Sequence, residues 1–124
     1  MARSHRGVDP RAALRGVAVI RGDVHQTRLP GLGRRPALIV SWDSVSVRLR
    51  QPIVARITAT ERERSLDTFV ALDPGEAGAE LPSYVLCHDL STVRAQDIGV
   101  YLGTVGPTRM REVEAALRRS LDLS

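Results

Sequence analysis

Short apolar segments interrupted by turn-forming residues make up most of this chain. β-Branched and other apolar residues cluster in runs of a few positions, and Gly, Pro or Asp interrupts most of the runs. This pattern is typical of short β-strands, because the first group favours extended backbone and the second favours turns. It predicts strands over residues 16–29, 36–42, 52–58, 68–72, 83–87 and 98–105.

A helical pattern begins at Pro107, near the C-terminal end. Proline is favoured at the first helical position, where its missing N–H leaves no hydrogen bond unmade. Apolar residues then recur at spacings of three and four, at Met110, Val113, Leu117 and Leu121. They predict a helix that packs one face on the core, and Glu114 and Arg118 are spaced for an ion pair on that helix.

Weaker signals complete the list of elements. Residues 43–50 are predicted as a short helix or a turn, with Asp43 as the candidate N-cap, and residues 93–97 as one helical turn. Residues 59–65 are polar and charged, which predicts a loop. Since no long helix separates the strands, the order of elements favours a strongly curled antiparallel sheet or a small barrel, capped by helices.

The length and charge of the chain narrow its class. With 124 residues it is predicted to form one domain over residues 16–124, preceded by a flexible basic arm over residues 1–15. All 18 basic residues are arginine, and the net charge is +4. Arginine binds phosphate through a planar fork, so the charge indicates a polyanionic partner such as nucleic acid. Aromatic residues are scarce, which argues against a base-stacking platform.

Several classes of function are disfavoured by composition. Cys87 is the single cysteine, and the three histidines lack matched spacing, so neither a disulfide scaffold nor a structural zinc site is expected. The apolar runs are too short to cross a bilayer, and the first residues lack the apolar region of a secretory signal. We therefore expect a cytoplasmic protein without a metal or a cofactor.

A few side chains combine reactivity or charge with a place beside a predicted strand. Arg34 and Arg35 stand where a turn enters the second strand, so their permanent charges could stabilise a phosphorane-like transition state. Thr58 ends the third strand, and its hydroxyl could donate to a phosphate oxygen. His88 is suited to proton transfer near neutral pH, and its neighbour Asp89 points to the opposite face of a strand. The alternatives are a solvated turn for Arg34 and Arg35, an ordinary strand residue for Thr58 and a structural role for His88.

The order of several segments adds a resemblance to these signals. Arg-Gly-Asp-Val stands at 21–24, Leu-Gly-Arg-Arg-Pro-Ala-Leu-Ile-Val-Ser at 32–41 and Ile-Val-Ala-Arg-Ile-Thr at 53–58, followed by segments at 70–76, 84–87 and 107–117. In this order and spacing they resemble the MazF/PemK family of toxin endoribonucleases. The resemblance covers residues 21–121.

The resemblance implies a fold, an activity and partners. The fold would be mostly β (α+β), a small, strongly bent antiparallel sheet or SH3-like barrel with short helices and a C-terminal helix, in a homodimer. The activity would be sequence-selective, metal-independent cleavage of single-stranded RNA by attack of the 2′-OH, leaving a 2′,3′-cyclic phosphate and a 5′-OH. The partner would be an antitoxin whose acidic tail occupies the RNA groove.

Matching motifs carry family roles onto particular residues. The catalytic arginine of the family falls on Arg35 and its catalytic threonine on Thr58, while His88 is a further candidate for acid–base catalysis. The RNA-binding residues expected beside them are Arg28, Arg34, Arg56 and Asp89.

One segment departs from the family pattern. Where the family has an acidic residue, a glutamine and an arginine, this chain has His88, Asp89 and Ser91. A carboxylate beside an RNA path repels phosphate unless a cation pairs with it. This departure motivates an alternative, a protein on the same scaffold that binds antitoxin or RNA without cleavage. A CcdB-like gyrase poison is a further alternative, against which the Arg-Arg-Pro and Ile-Thr motifs speak.

Overall fold

The structure is a computed structural model that describes residues 19–59 and 67–124. Its strands and helices are β1 (Asp23–Leu29), β2 (Gly33–Ile39), α1 (Asp43–Leu49), β3 (Ile53–Thr58), β4 (Phe69–Leu72), β5 (Ser83–Thr92), β6 (Ile98–Thr104) and α2 (Pro107–Leu121). Short 3-10 turns precede β5 and β6, at Glu76–Gly78 and Ala95–Asp97. The predicted arm over residues 1–15, and most of the predicted loop over residues 59–65, lie outside the described residues.

All six strands form one sheet, in the order β4-β5-β3-β2-β1-β6. Every recorded pair of neighbours is antiparallel. Register shifts interrupt the ladders between β1 and β6 and between β3 and β5, and such irregularities bend and twist a sheet. The predicted fold class, a mostly β antiparallel sheet with short helices and a C-terminal helix, is confirmed.

Alternation along the strands separates two apolar clusters on opposite faces of the sheet. Leu38 belongs to the larger cluster, which includes Val113 of α2, whereas its neighbour Ile39 packs with Val93 in the smaller one. Adjacent residues of a strand point to opposite faces, so helix α2 covers one face of the sheet. Within the described residues, no helix is long and apolar enough to span a membrane.

Several strand boundaries differ from the prediction. β2 spans Gly33–Ile39 rather than 36–42, so Arg34 and Arg35 lie within the strand rather than in the turn that enters it. β1 begins at Asp23, later than predicted, because a turn with Gly22 at a φ of 96° precedes it. β5 continues to Thr92 rather than ending at Cys87, because its last residues remain paired with β3. The longer β5 brings the segment 88–91 into the sheet.

Helix α1 confirms the helical alternative for residues 43–50, but the predicted N-cap is wrong. The capping position is Trp42, and no side chain caps it. Asp43 Oδ1 instead accepts a hydrogen bond from the backbone N–H of Arg21 at 2.7 Å. The carboxylate therefore ties α1 to the segment before β1.

Helix α2 begins at Pro107, as predicted, and buries Met110 and Val113. Leu121 does not join them: it is 53% exposed at the last residue of the helix, and Ala116 is buried in its place. The apolar stripe therefore ends before the helix does.

The ion pair predicted within α2 also differs in the structure. Glu114 Oε2 lies 2.9 Å from Nη1 of Arg21, not beside Arg118. Arg21 Nε in turn donates to the carbonyl oxygen of Val40 at 3.0 Å. Pairing with Arg21, which a backbone carbonyl already holds, costs less side-chain entropy than pairing with a mobile side chain on the helix surface.

Candidate functional site

Arg35 and Thr58 lie on the neighbouring strands β2 and β3. The ladder pairs Ala37 with Arg56, and its register is constant over the recorded pairs. Arg35 lies two residues before Ala37 on β2, and Thr58 lies two residues after Arg56 on β3. Side chains two residues apart on a strand point to the same face.

A groove with a volume of about 490 Å³ opens at these residues. Arg35, Arg56 and Thr58 line it, together with apolar side chains of the core and the segment Ala77–Leu81, which we call the groove wall. Guanidinium groups beside apolar surface suit an anionic ligand that also has apolar faces. Single-stranded nucleic acid has both properties.

Arg109 of α2 holds Glu76, the residue just before the groove wall. Its Nε and Nη2 donate to the two carboxylate oxygens of Glu76 at 3.1 and 2.6 Å. Nη1 donates to Glu112 at 3.0 Å, and Nη2 also reaches Asp73 at 3.4 Å. The hydrogen bond from Arg109 lowers the pKa of Glu76, and the same contact raises the pKa of Arg109. Ion pairs therefore fasten the groove wall to α2.

The groove wall also lies against the backbone of β6. A Cβ atom on Gly78 would collide with the carbonyl oxygen of Leu102, and one on Gly103 would lie 2.6 Å from the carbonyl carbon of Ala77. Gly78 has a φ of 81°, and Ala77 adopts a left-handed φ of 50°. A side chain at either glycine would push the wall away from β6.

Asp89 pairs with Arg56. Arg56 Nε donates to Asp89 Oδ2 at 2.8 Å, with the two side chains 28% and 37% exposed. The pairing depends on the register shift between β3 and β5, where one residue of β3 faces several residues of β5. The carboxylate at the family's amide position is therefore neutralised by an arginine.

His88 lies on the β4 side of β5. Its Nδ1 is 3.0 Å from the hydroxyl oxygen of Thr68, and its ring stacks on Phe69 with 5.1 Å between ring centres. His88 is exposed and is not among the residues that line the groove. The structure thus brings Arg35, Arg56, Thr58 and Asp89 together and places His88 apart from them.

The two remaining candidates lie on the hairpin of β1 and β2. Arg28 and Arg34 face each other in its ladder, and both are exposed. The Arg34 guanidinium approaches Gly99, where a Cβ atom would lie 2.8 Å from Nη1. Arg28 lines a second cavity of about 480 Å³, near Arg94. These arginines extend positive charge along the hairpin beyond Arg35.

Cys87 is fully buried, and burial raises the pKa of its thiol to about 11. A thiol that stays protonated is a poor nucleophile, so Cys87 is not a candidate catalytic residue. Among residues 19–59 and 67–124, no three His, Cys, Asp or Glu side chains converge to hold a metal ion.

The sequence did not predict a buried polar network near β6. Asp23, 1% exposed, accepts a hydrogen bond from Thr104 Oγ1 at 2.9 Å, and that hydroxyl lies 2.6 Å from the Tyr101 hydroxyl. His25 Nδ1 donates to the carbonyl of Gly99 at 3.0 Å. The Gly-Asp motif at the start of β1 was the one sequence signal for this network. Nothing in the sequence indicated the contact of Arg109 with Glu76.

Comparison with known proteins decides the family. Residues 20–121 match the model of the PemK-like, MazF-like toxins of type II toxin–antitoxin systems. The chain belongs to this family. It is 33% identical over 106 residues to endoribonuclease MazF1 of Mycobacterium bovis and to endoribonuclease MazF4 of Mycobacterium tuberculosis, matches that cover 86% of this chain and 95% of each relative. The resemblance seen in the sequence is therefore confirmed.

Solved structures of MazF proteins agree with this membership. A mycobacterial endoribonuclease in complex with its cognate antitoxin superposes with a TM-score of 0.74 at 31% identity, over 85% of this chain and 96% of that one. Toxin MazF-mt6 of Mycobacterium tuberculosis superposes with a TM-score of 0.73 at 29% identity, over 82% and 98% of the chains. The PemK/MazF fold thus extends over all but the first part of this chain.

Proposed function

We propose that this protein is the toxin of a type II toxin–antitoxin pair and an endoribonuclease that cleaves single-stranded RNA without a metal ion. The observation that carries the proposal is the groove that Arg35 and Thr58 line together, in a chain of the PemK/MazF family. Relatives that share a third of the sequence are named endoribonucleases.

The proposed reaction is an intramolecular transesterification. The 2′-oxygen of the substrate attacks the adjacent phosphorus and loses its proton, the bond from phosphorus to the 5′-oxygen breaks, and that oxygen gains a proton. Arg35 stabilises the added negative charge of the phosphorane, since guanidinium donors gain most where charge develops. Thr58 donates its hydroxyl to a nonbridging oxygen. The acid–base role of His88 stays a prediction that a variant can test.

The proposed RNA path continues from the groove along the hairpin of β1 and β2. Arg34 and Arg28 are exposed there, and their charges would follow the RNA backbone. The acidic tail of an antitoxin would be attracted to the same surface, so antitoxin and RNA would compete for it. We further propose a cytoplasmic homodimer, with residues 16–124 as its folded domain.

Repulsion of phosphate by Asp89 was the reason to consider a protein that binds RNA without cleaving it. Arg56 offsets the charge of this carboxylate at 2.8 Å, which removes that reason. The gyrase alternative has no support in the family match, which is to the PemK/MazF toxins.

The test incubates the purified protein with a long single-stranded RNA in EDTA and maps the fragment ends. We expect discrete cuts with 5′-OH ends, reduced about a hundredfold or more by Arg35→Ala and strongly by Thr58→Val. Arg111→Ala is the matched control, because Arg111 is exposed on α2, outside the groove lining, and donates a hydrogen bond to the Thr108 hydroxyl at 3.2 Å. RNA that stays intact with folded protein, or Arg35→Ala cutting at the wild-type rate, would refute the proposal.

A further inference from the structure

The pair of Arg56 and Asp89 leaves one edge of a guanidinium open to the groove. Arg56 lines the groove, and its Nε donates to Asp89 Oδ2. Within residues 19–59 and 67–124, no group accepts a hydrogen bond from Nη1 or Nη2 of Arg56. The carboxylate therefore orients the planar group, and the two parallel N–H bonds at its far end remain available to a ligand.

The charge around Arg56 favours a base over a phosphate as that ligand. Asp89 offsets the positive charge at contact distance, so the pair attracts phosphate far less than an unpaired arginine does. Arg34 and Arg35 have no carboxylate partner within the described part of the chain, and they are better placed to hold phosphate. A guanidinium whose orientation is fixed and whose charge is offset by a carboxylate is suited to bind the polar, uncharged edge of a base.

The free donors of Arg56 also restrict which base fits. Two parallel N–H donors match an edge with two neighbouring acceptors and no donor. The Hoogsteen edge of guanine, with O6 and N7, has that pattern, and arginine on guanine is the most frequent specific contact of this kind. Adenine presents a donor beside N7 on the same edge. In single-stranded RNA this edge is accessible to protein side chains.

We propose that Arg56 recognises the O6 and N7 atoms of a guanine in the bound RNA, and that Asp89 is the positioning residue for Arg56. This inference rests on the proposed function and specifies it, since it assigns a required base to the groove. Asp89 thereby has a role in selecting the cleavage site rather than in opposing RNA binding.

The test compares one RNA sequence transcribed with GTP, with 7-deaza-GTP or with ITP. 7-Deazaguanine lacks the N7 acceptor, whereas hypoxanthine keeps O6 and N7 and lacks only the 2-amino group. We expect wild-type cuts to share a guanine at a fixed position from the cut. We expect kcat/KM to fall about tenfold or more with 7-deazaguanine and to change little with hypoxanthine.

Variants remove the donors of Arg56 and test the positioning residue. Arg56→Met keeps a long side chain without any donor, so it should cleave guanine and 7-deazaguanine RNA at equal rates, whereas a lysine could still donate to O6 and N7. Asp89→Asn retains an oxygen that can accept from Nε and should retain the discrimination, whereas Asp89→Ala should lose it. Arg111→Met is the control for an arginine substitution outside the groove.

Binding by the Arg35→Ala variant, followed by fluorescence anisotropy with the same transcripts, tests the inference without cleavage. We expect weaker binding of 7-deazaguanine RNA than of guanine RNA. Cut sites without a common guanine, equal kcat/KM for the two transcripts, or undiminished discrimination in Arg56→Met would each overturn the inference while leaving the ribonuclease intact. Absence of all cleavage with guanine-dependent binding would instead overturn the proposed function and support this one.

Discussion

Arg109 and Glu76 lie 33 positions apart in the chain, yet two nitrogens of the guanidinium donate to the two oxygens of the carboxylate. The contact joins the last helix to the 3-10 turn that begins the groove wall. Both side chains are less than one-third exposed, at 23% and 29%. Such two-point contacts are stronger and more directional than ordinary surface ion pairs.

Breaking this contact should loosen the groove wall without touching the reacting groups. We expect Arg109→Gln to raise KM for RNA about three- to tenfold and to leave kcat within about twofold, since the wall contributes to binding rather than to the transition state. Steady-state cleavage of a short RNA measures both constants. Arg109→Lys should recover part of the loss. An equal fall of kcat in both variants would contradict this role.

The same pair makes stability depend on acid pH. Hydrogen bonding to Arg109 lowers the pKa of Glu76 from its usual value of 4.5. A carboxyl whose pKa is lower in the folded state adds stability above its unfolded pKa and loses it as pH falls through the folded pKa. We expect urea unfolding to show a decline in the free energy of unfolding below about pH 4.5 that is smaller in Glu76→Gln. Identical pH profiles would exclude Glu76 as a contributor.

Gly78 should tolerate no side chain, because the wall touches β6 there. Its φ of 81° is unfavourable for L-residues, and a Cβ would meet the backbone of Leu102. We expect Gly78→Ala to lower the free energy of unfolding by about 2–4 kcal/mol. Gly31→Ala is the control: its φ is 73°, but nothing lies within 4 Å of the added atom, so about 1 kcal/mol is expected. Equal losses would show that only backbone strain matters.

His88 can be tested by its effect on the pH dependence of cleavage. Its ring is held between Thr68 and Phe69, outside the groove lining. We therefore expect His88→Gln to keep kcat within about threefold of wild type across pH 5–8, because general acid–base catalysis is worth about a hundredfold or more. A larger fall, with loss of one limb of the pH profile, would establish the acid–base role that the sequence suggests.

The sequence alone predicted most elements and several of the side chains that line the groove. Strand runs and the apolar stripe of α2 depend on neighbours within a few residues, so the periodicity predicts them correctly. The motifs marked Arg35 and Thr58 as candidates, and the structure places both side chains at one groove between neighbouring strands. Family membership also follows from local motifs in a fixed order.

Tertiary structure decided every contact between distant side chains. The choice of Arg21 over Arg118 as the partner of Glu114, and the pairing of Arg56 with Asp89, depend on register and on how the sheet bends. No local rule predicts a register shift, because it balances hydrogen bonds and packing across several strands. Charge and periodicity thus reveal which residues are available, and only the packed chain selects which of them meet.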